Sequence, residues 1–122
     1  MKFSEDSNDA TYRILAYGDG WVQTNAQRLE RPFIIGPHHL ITDWNAQSFD
    51  TLTAEQLAPL LAIPATIIVL GTGEQHLLPS QEVLRTLVNH GKGFEIMTSA
   101  AACRTYSVLA AEQRSVIMAL FP

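Results

Sequence analysis

The chain has 122 residues, 47% hydrophobic and 16% charged, which is enough apolar material for one sizeable core. Twelve acidic against eight basic side chains give a formal charge of −4 with no Lys/Arg cluster, a field that repels phosphate backbones and argues against a nucleic-acid partner. A single cysteine excludes an internal disulfide, no run approaches the roughly 20 apolar residues of a membrane span, and the start MKFSEDSNDA lacks an apolar leader core. The expected setting is therefore reducing and cytoplasmic, without membrane insertion.

Residues 1–10 are polar and acidic with almost nothing to bury, so a flexible arm is expected there, followed by a single α/β domain over 11–122. YRILAYGDGWVQTNAQRL carries two β-rich runs around Gly18-Asp19-Gly20, a hairpin signal. RPFIIG and HHLITDW read as further short strands. In LTAEQLAPLL, Thr53 with Gln56 three residues on forms a capping-box pattern, and Pro59 keeps the helix it opens short or distorted.

The second half changes rhythm. ATIIVLG, bounded by Pro64 and Gly71, is the continuous apolar run of a strand buried on both faces. A helix follows in PSQEVLRTLVNHG, with Val83, Leu84, Leu87 and Val88 at helical spacing and Gly91 as its stop; GFEIM is the next strand. Thr98 or Ser99 caps a second helix whose stripe is Ala102, Cys103, Tyr106, Leu109 and Ala110, and RSVIMALF is the last strand. Strand, helix, strand, helix, strand argues a mixed sheet with packed helices, preceded by a mostly β amino-terminal half.

Two candidate features stand against plain structural readings. Cys103 lies on the stripe that faces the sheet, with no histidine assignable to activate it, so it and Tyr106 are read as structural packing rather than as reagents. The GTGEQ loop and the MTSA helix start both follow the carboxyl ends of buried strands, where open α/β sheets bind ligands. Gly71, Thr72 and Gly73 with the hydroxyls of Thr98 and Ser99, and Arg104 near the rim, could accept a small anion or carboxylate. The plain alternative is a tight turn and a helix cap, with Arg104 paired to Glu95 or Glu112; spacing does not choose. His38 and His39, as strand neighbours, would point to opposite faces, and His76 and His90 are scattered, so no metal site is expected, and no catalytic acid/base pair, nucleophile or cofactor is assignable. Trp21 and Trp44 are core aromatics or, if exposed, marks of a partner surface. Nothing in the residues sets an oligomeric state.

From LGTGEQ to the end the chain resembles a family of small α/β proteins, with Mth938-like fold, that includes the mitochondrial complex I assembly factor 3. The motifs that carry the resemblance are GTG at Gly71–Gly73, Glu95-x-Met97-Thr98, ACRTY at Ala102–Tyr106, then Leu109, Glu112 and Arg114, with Ser107 in place of the family's usual asparagine. The resemblance implies a three-layer fold with a central mixed sheet and helices plus an amino-terminal β layer, no established activity, and work through protein contacts. Because the eukaryotic member carries a mitochondrial leader that this start does not show, a bacterial protein is expected. The expectation favoured is a non-catalytic interaction or assembly module with a protein partner; the alternative is an anion- or carboxylate-binding protein or enzyme at the Gly71–Gly73 loop and Thr98 helix start.

Overall fold

The computed structural model describes residues 10–122. All but the last residue of the expected amino-terminal arm lie outside the described residues.

Strands β1 (Ile14–Gly18) and β2 (Trp21–Thr24) make the expected antiparallel hairpin, and Gly20 turns at φ +80, a conformation that a Cβ disfavours. β3 (Arg28–Leu29) pairs with β2 to complete a three-stranded sheet. The Thr24 hydroxyl holds the turn between them, donating to the Gln27 carbonyl at 2.9 Å and accepting from the Gln27 N–H at 3.0 Å.

β4 (Phe33–Gly36) and β5 (His39–Ile41) form a second hairpin. The strand expected over HHLITDW is thus shorter at both ends. His38 lies in the turn rather than on a strand, so it and His39 are not alternating strand neighbours. Trp44 lies beyond the strand, 4% exposed, its indole N–H donating to the Gln56 carbonyl at 2.7 Å and its ring 5.3 Å from that of Phe121. The capping box forms reciprocally: Gln56 N–H donates to the Thr53 hydroxyl at 3.3 Å and Thr53 N–H to the Gln56 side-chain carbonyl at 3.0 Å. The helix it opens is a 3-10 turn, Glu55–Leu57, running into α1 (Ala58–Leu61). Pro59 is tolerated because it falls in the first turn of α1, and Pro64 blocks continuation shortly after its end.

β6 (Ile67–Gly71) lies between β7 (Gly93–Met97) and β8 (Val116–Leu120), parallel to both, while β4 pairs antiparallel with β8. The sheet order β5-β4-β8-β6-β7 is mixed and five-stranded. The two crossovers carry α2 (Gln81–His90) and α3 (Ser99–Ala111). Alternation along the central strands divides the core by face. Ile68, Leu70, Ile117 and Ala119 pack with Val83 and Leu87 of α2 and with Trp44, Phe49, Leu57 and Phe121. On the opposite face Val69, Met118 and Leu120 pack with Ala102, Cys103 and Tyr106 of α3 and with Val22 and Leu29 of the three-stranded sheet. Only half of the stripe expected on α2 is buried: Val83 and Leu87 meet the sheet, whereas Leu84 and Val88, about 100° further round the helix, stay 41% and 58% exposed.

Candidate functional site

β6 delivers the chain into the Gly71–Gly73 turn and β7 delivers it into Thr98, so parallel pairing of Gly71 with Met97 brings the two loops side by side. The Thr98 side chain accepts from the Ala101 N–H at 3.3 Å and caps α3. Ser99 ties the end of the sheet together. Its hydroxyl accepts from the Gly73 N–H at 2.8 Å and donates to the Phe121 carbonyl at 2.6 Å, and its own N–H donates to the Gly73 carbonyl at 2.9 Å. Thr72 donates its hydroxyl to the Gln75 carbonyl, and its N–H donates to the Met97 carbonyl at 2.9 Å. Gly71 is required by close approach: a Cβ there would stand 2.9 Å from Ser99 Oγ, 3.0 Å from Ala102 Cβ and 3.1 Å from Leu120 Cδ1.

The structure therefore brings Gly71, Thr72, Gly73, Thr98 and Ser99 together; Ser99 pairs with Gly73 and Phe121, Thr72 with Gln75 and Met97, and Thr98 with Ala101. Among the described residues no buried side-chain nitrogen or oxygen lacks a partner. Arg104 is not part of this network. It turns toward the amino-terminal sheet, where Nη1 donates to the Tyr17 hydroxyl at 3.0 Å, and it makes no ion pair with Glu95 or Glu112.

Cys103 is 1% exposed, and burial pushes its thiol up to about 12, with the nearby Arg104 charge pulling weakly the other way. Such a thiol is protonated at neutral pH and poorly nucleophilic. Tyr106 is fully buried, its hydroxyl donating to the Tyr12 carbonyl at 3.1 Å and its phenol raised by the same desolvation. No group of three or more metal-ligating side chains occurs among the described residues.

Gly73 and Ser99 also border a cleft of about 560 Å³ that opens between the β1–β2 turn and the start of α3, where Tyr17, Asp19, Trp21 and Cys103 join its lining. Arg28 lies 4.4 Å over the Trp21 ring and forms an exposed pair with Glu30. Next to the cleft, β1 exposes Leu15 at 58% and Tyr17 at 36%. The alternating apolar residues of YRILAYG carried the signal for a strand but not for which of them would lack cover.

A family described as a protein of unknown function, DUF498/DUF598, matches residues 14–121. Over 117 residues the chain is 28% identical to a 13 kDa major membrane protein of Francisella tularensis subsp. holarctica, covering 95% of each. It is 28% identical over 111 residues to the human NADH dehydrogenase (ubiquinone) 1 alpha subcomplex assembly factor 3, covering 89% of this chain and 60% of that protein. A crystal structure from Bordetella parapertussis superposes with a TM-score of 0.84 at 33% identity, covering 93% of this chain and 97% of that one. A solution structure from Bordetella pertussis described as a Mth938-like domain gives 0.75 at 29% identity, covering 93% and 87%. The fold is Mth938-like, a central mixed sheet with helices and an antiparallel three-stranded layer. No helix among the described residues is long and apolar enough to cross a membrane.

Proposed function

The chain belongs to the DUF498/DUF598 family of proteins of unknown function, and from that premise we propose that it is a non-catalytic interaction or assembly module that holds a protein partner. The observation that carries this is the uncovered apolar surface of β1, Leu15 and Tyr17, beside the cleft at the start of α3. Large apolar side chains grouped at a cleft are the usual mark of a docking surface. A relative named as a complex I assembly factor supports the reading, although this chain spans 60% of that protein's length. In this reading residues 11–122 act as one unit, Gly71–Gly73 and Thr98–Ser99 tie the strand ends together at the border of the cleft, and Cys103 and Tyr106 fill the core beneath α3.

Leu15→Glu and Tyr17→Glu test it. A tagged protein is used to capture partners from its own cell extract, identified by mass spectrometry, and thermal melting is followed in parallel. Loss of one defined partner at unchanged melting temperature is expected; equal capture by both variants and the parent sinks the proposal. The same proposal places the protein in the cytoplasm of a bacterium, supported by the bacterial sources of its structural neighbours. The membrane name of the Francisella relative makes fractionation the relevant check, with recovery in the membrane pellet overturning that location.

A further inference from the structure

At the amino ends of β6 and β8, opposite the Gly71–Gly73 turn, a second cleft of about 320 Å³ opens between three connections. The β4–β5 turn contributes His38 and the start of β5 His39, the approach to β6 contributes Pro64, and the link from α3 to β8 contributes Gln113, Arg114 and Ser115. In a chain of net charge −4 this cleft has no carboxylate in its lining, and its titratable members are two imidazoles and a guanidinium. Arg114 makes no side-chain hydrogen bond or ion pair among the described residues, unlike Arg28 and Arg104. At the carboxyl end of α3 the carbonyls of Val108, Ala110 and Leu109 accept from the N–H groups of Glu112, Gln113 and Arg114, so the backbone and not the Arg114 side chain caps them. Gln113, at φ +61, is the left-handed residue of a Schellman stop, with its N–H on the Ala110 carbonyl and that of Arg114 on Leu109, and this fixes the path of the link.

We propose that this cleft binds a small phosphate-bearing anion, with Arg114 as its charged anchor and His38, His39 and Ser115 as further donors. A guanidinium fork matches phosphate geometry. The Ser115 hydroxyl oxygen accepts from the Thr66 N–H at 3.3 Å, leaving its own hydrogen to donate. Donors arriving from separate connections suit a tetrahedral anion better than a planar carboxylate. The volume falls at the small end of the roughly 300–1,000 Å³ of ligand pockets, which suits a phosphate group with a short organic stem. Such a group reaches the protein either as a free phosphomonoester or as a phospholipid headgroup.

Titration calorimetry at fixed ionic strength with inorganic phosphate and glycerol 3-phosphate tests the free form, and co-sedimentation with phosphatidylcholine vesicles, with and without phosphatidic acid, tests the lipid form. Saturable binding in either arm is expected. Arg114→Ala should weaken it roughly tenfold or more, and His38→Asn with His39→Asn should weaken it further. Arg85→Ala, an exposed arginine on another face, should change nothing, and circular dichroism verifies that each variant is folded. Soluble binding alone identifies a free phosphomonoester, and binding only to phosphatidic acid vesicles identifies a headgroup. Absence of binding in both arms overturns the proposal, as does binding that Arg114→Ala leaves intact or that Arg85→Ala weakens equally.

Discussion

The two ends of the parallel strands β6 and β8 contrast in what they do with their polar groups. At the carboxyl ends, Ser99 is satisfied by Gly73 and Phe121, and Thr72 by Gln75 and Met97. At the amino ends, Arg114 and the two imidazoles line an open cleft. The carboxyl end is where ligands of open α/β sheets usually bind; here Gly73 and Ser99 border a cleft, but the Gly73 amide and the Ser99 hydroxyl are already paired. A hydroxyl beside a glycine turn serves a ligand only when the backbone has not already claimed it.

The largest test of how tightly this end is packed is Gly71→Val. Three neighbours already stand within 3.1 Å of a first added carbon, so overpacking of about 3 kcal/mol is expected in urea unfolding. A cost under about 0.5 kcal/mol would show that this end is loose enough to open for a ligand.

Ser99→Ala comes next, at about 2 kcal/mol, because the Gly73 N–H and the Phe121 carbonyl lose their shared partner. An unchanged urea midpoint would mean that water or a ligand replaces the hydroxyl there.

Cys103→Ser should cost about 1–2 kcal/mol at neutral pH for placing a hydroxyl in a desolvated position. The thiol also makes stability depend on pH. Its value rises from 9.0 to about 12 on folding, so above pH 9 the unfolded chain gives up the proton while the folded chain keeps it. Stability from this group is complete below that point and falls as pH rises toward 12, by at most ~1.4 kcal/mol per pH unit. The Tyr106 phenol acts in the same direction starting from its usual 10.0. Urea midpoints at about pH 7 and pH 10.5 should therefore bring parent and Cys103→Ser closer together; a constant gap would contradict desolvation as the cause.

The smallest effects belong to the exposed arginines. Arg104→Ala and Arg114→Ala should each change stability by less than about 0.5 kcal/mol, since one makes a surface hydrogen bond to Tyr17 and the other makes none that is described. A large loss with Arg114→Ala would place that side chain in the structure of the cleft rather than at its opening.

Much of the fold could be read from local pattern. ATIIVLG had to be a strand buried on both faces, Thr53 with Gln56 and Thr98 had to start helices, and Gly18-Asp19-Gly20 had to turn, because each signal resides in a few consecutive residues. The same locality explains what the residues left open. Thr98 is satisfied within its own helix turn, but Ser99 is satisfied by Gly73 and Phe121, distant in sequence, so its hydroxyl looked available.

The residues alone determined the alternation of strands and helices, the burial of Cys103 and Tyr106 on one helix stripe, and membership in a family. Tertiary structure decided where charge is free. Arg104 turned to Tyr17 instead of the glycine loop, and Arg114, recorded in the sequence only as part of a motif, came beside His38 and His39 across the amino ends of the sheet. Hydrophobic period is a property of neighbours along the chain, whereas the pairing of a donor or a charge depends on which distant segment the sheet order β5-β4-β8-β6-β7 sets beside it.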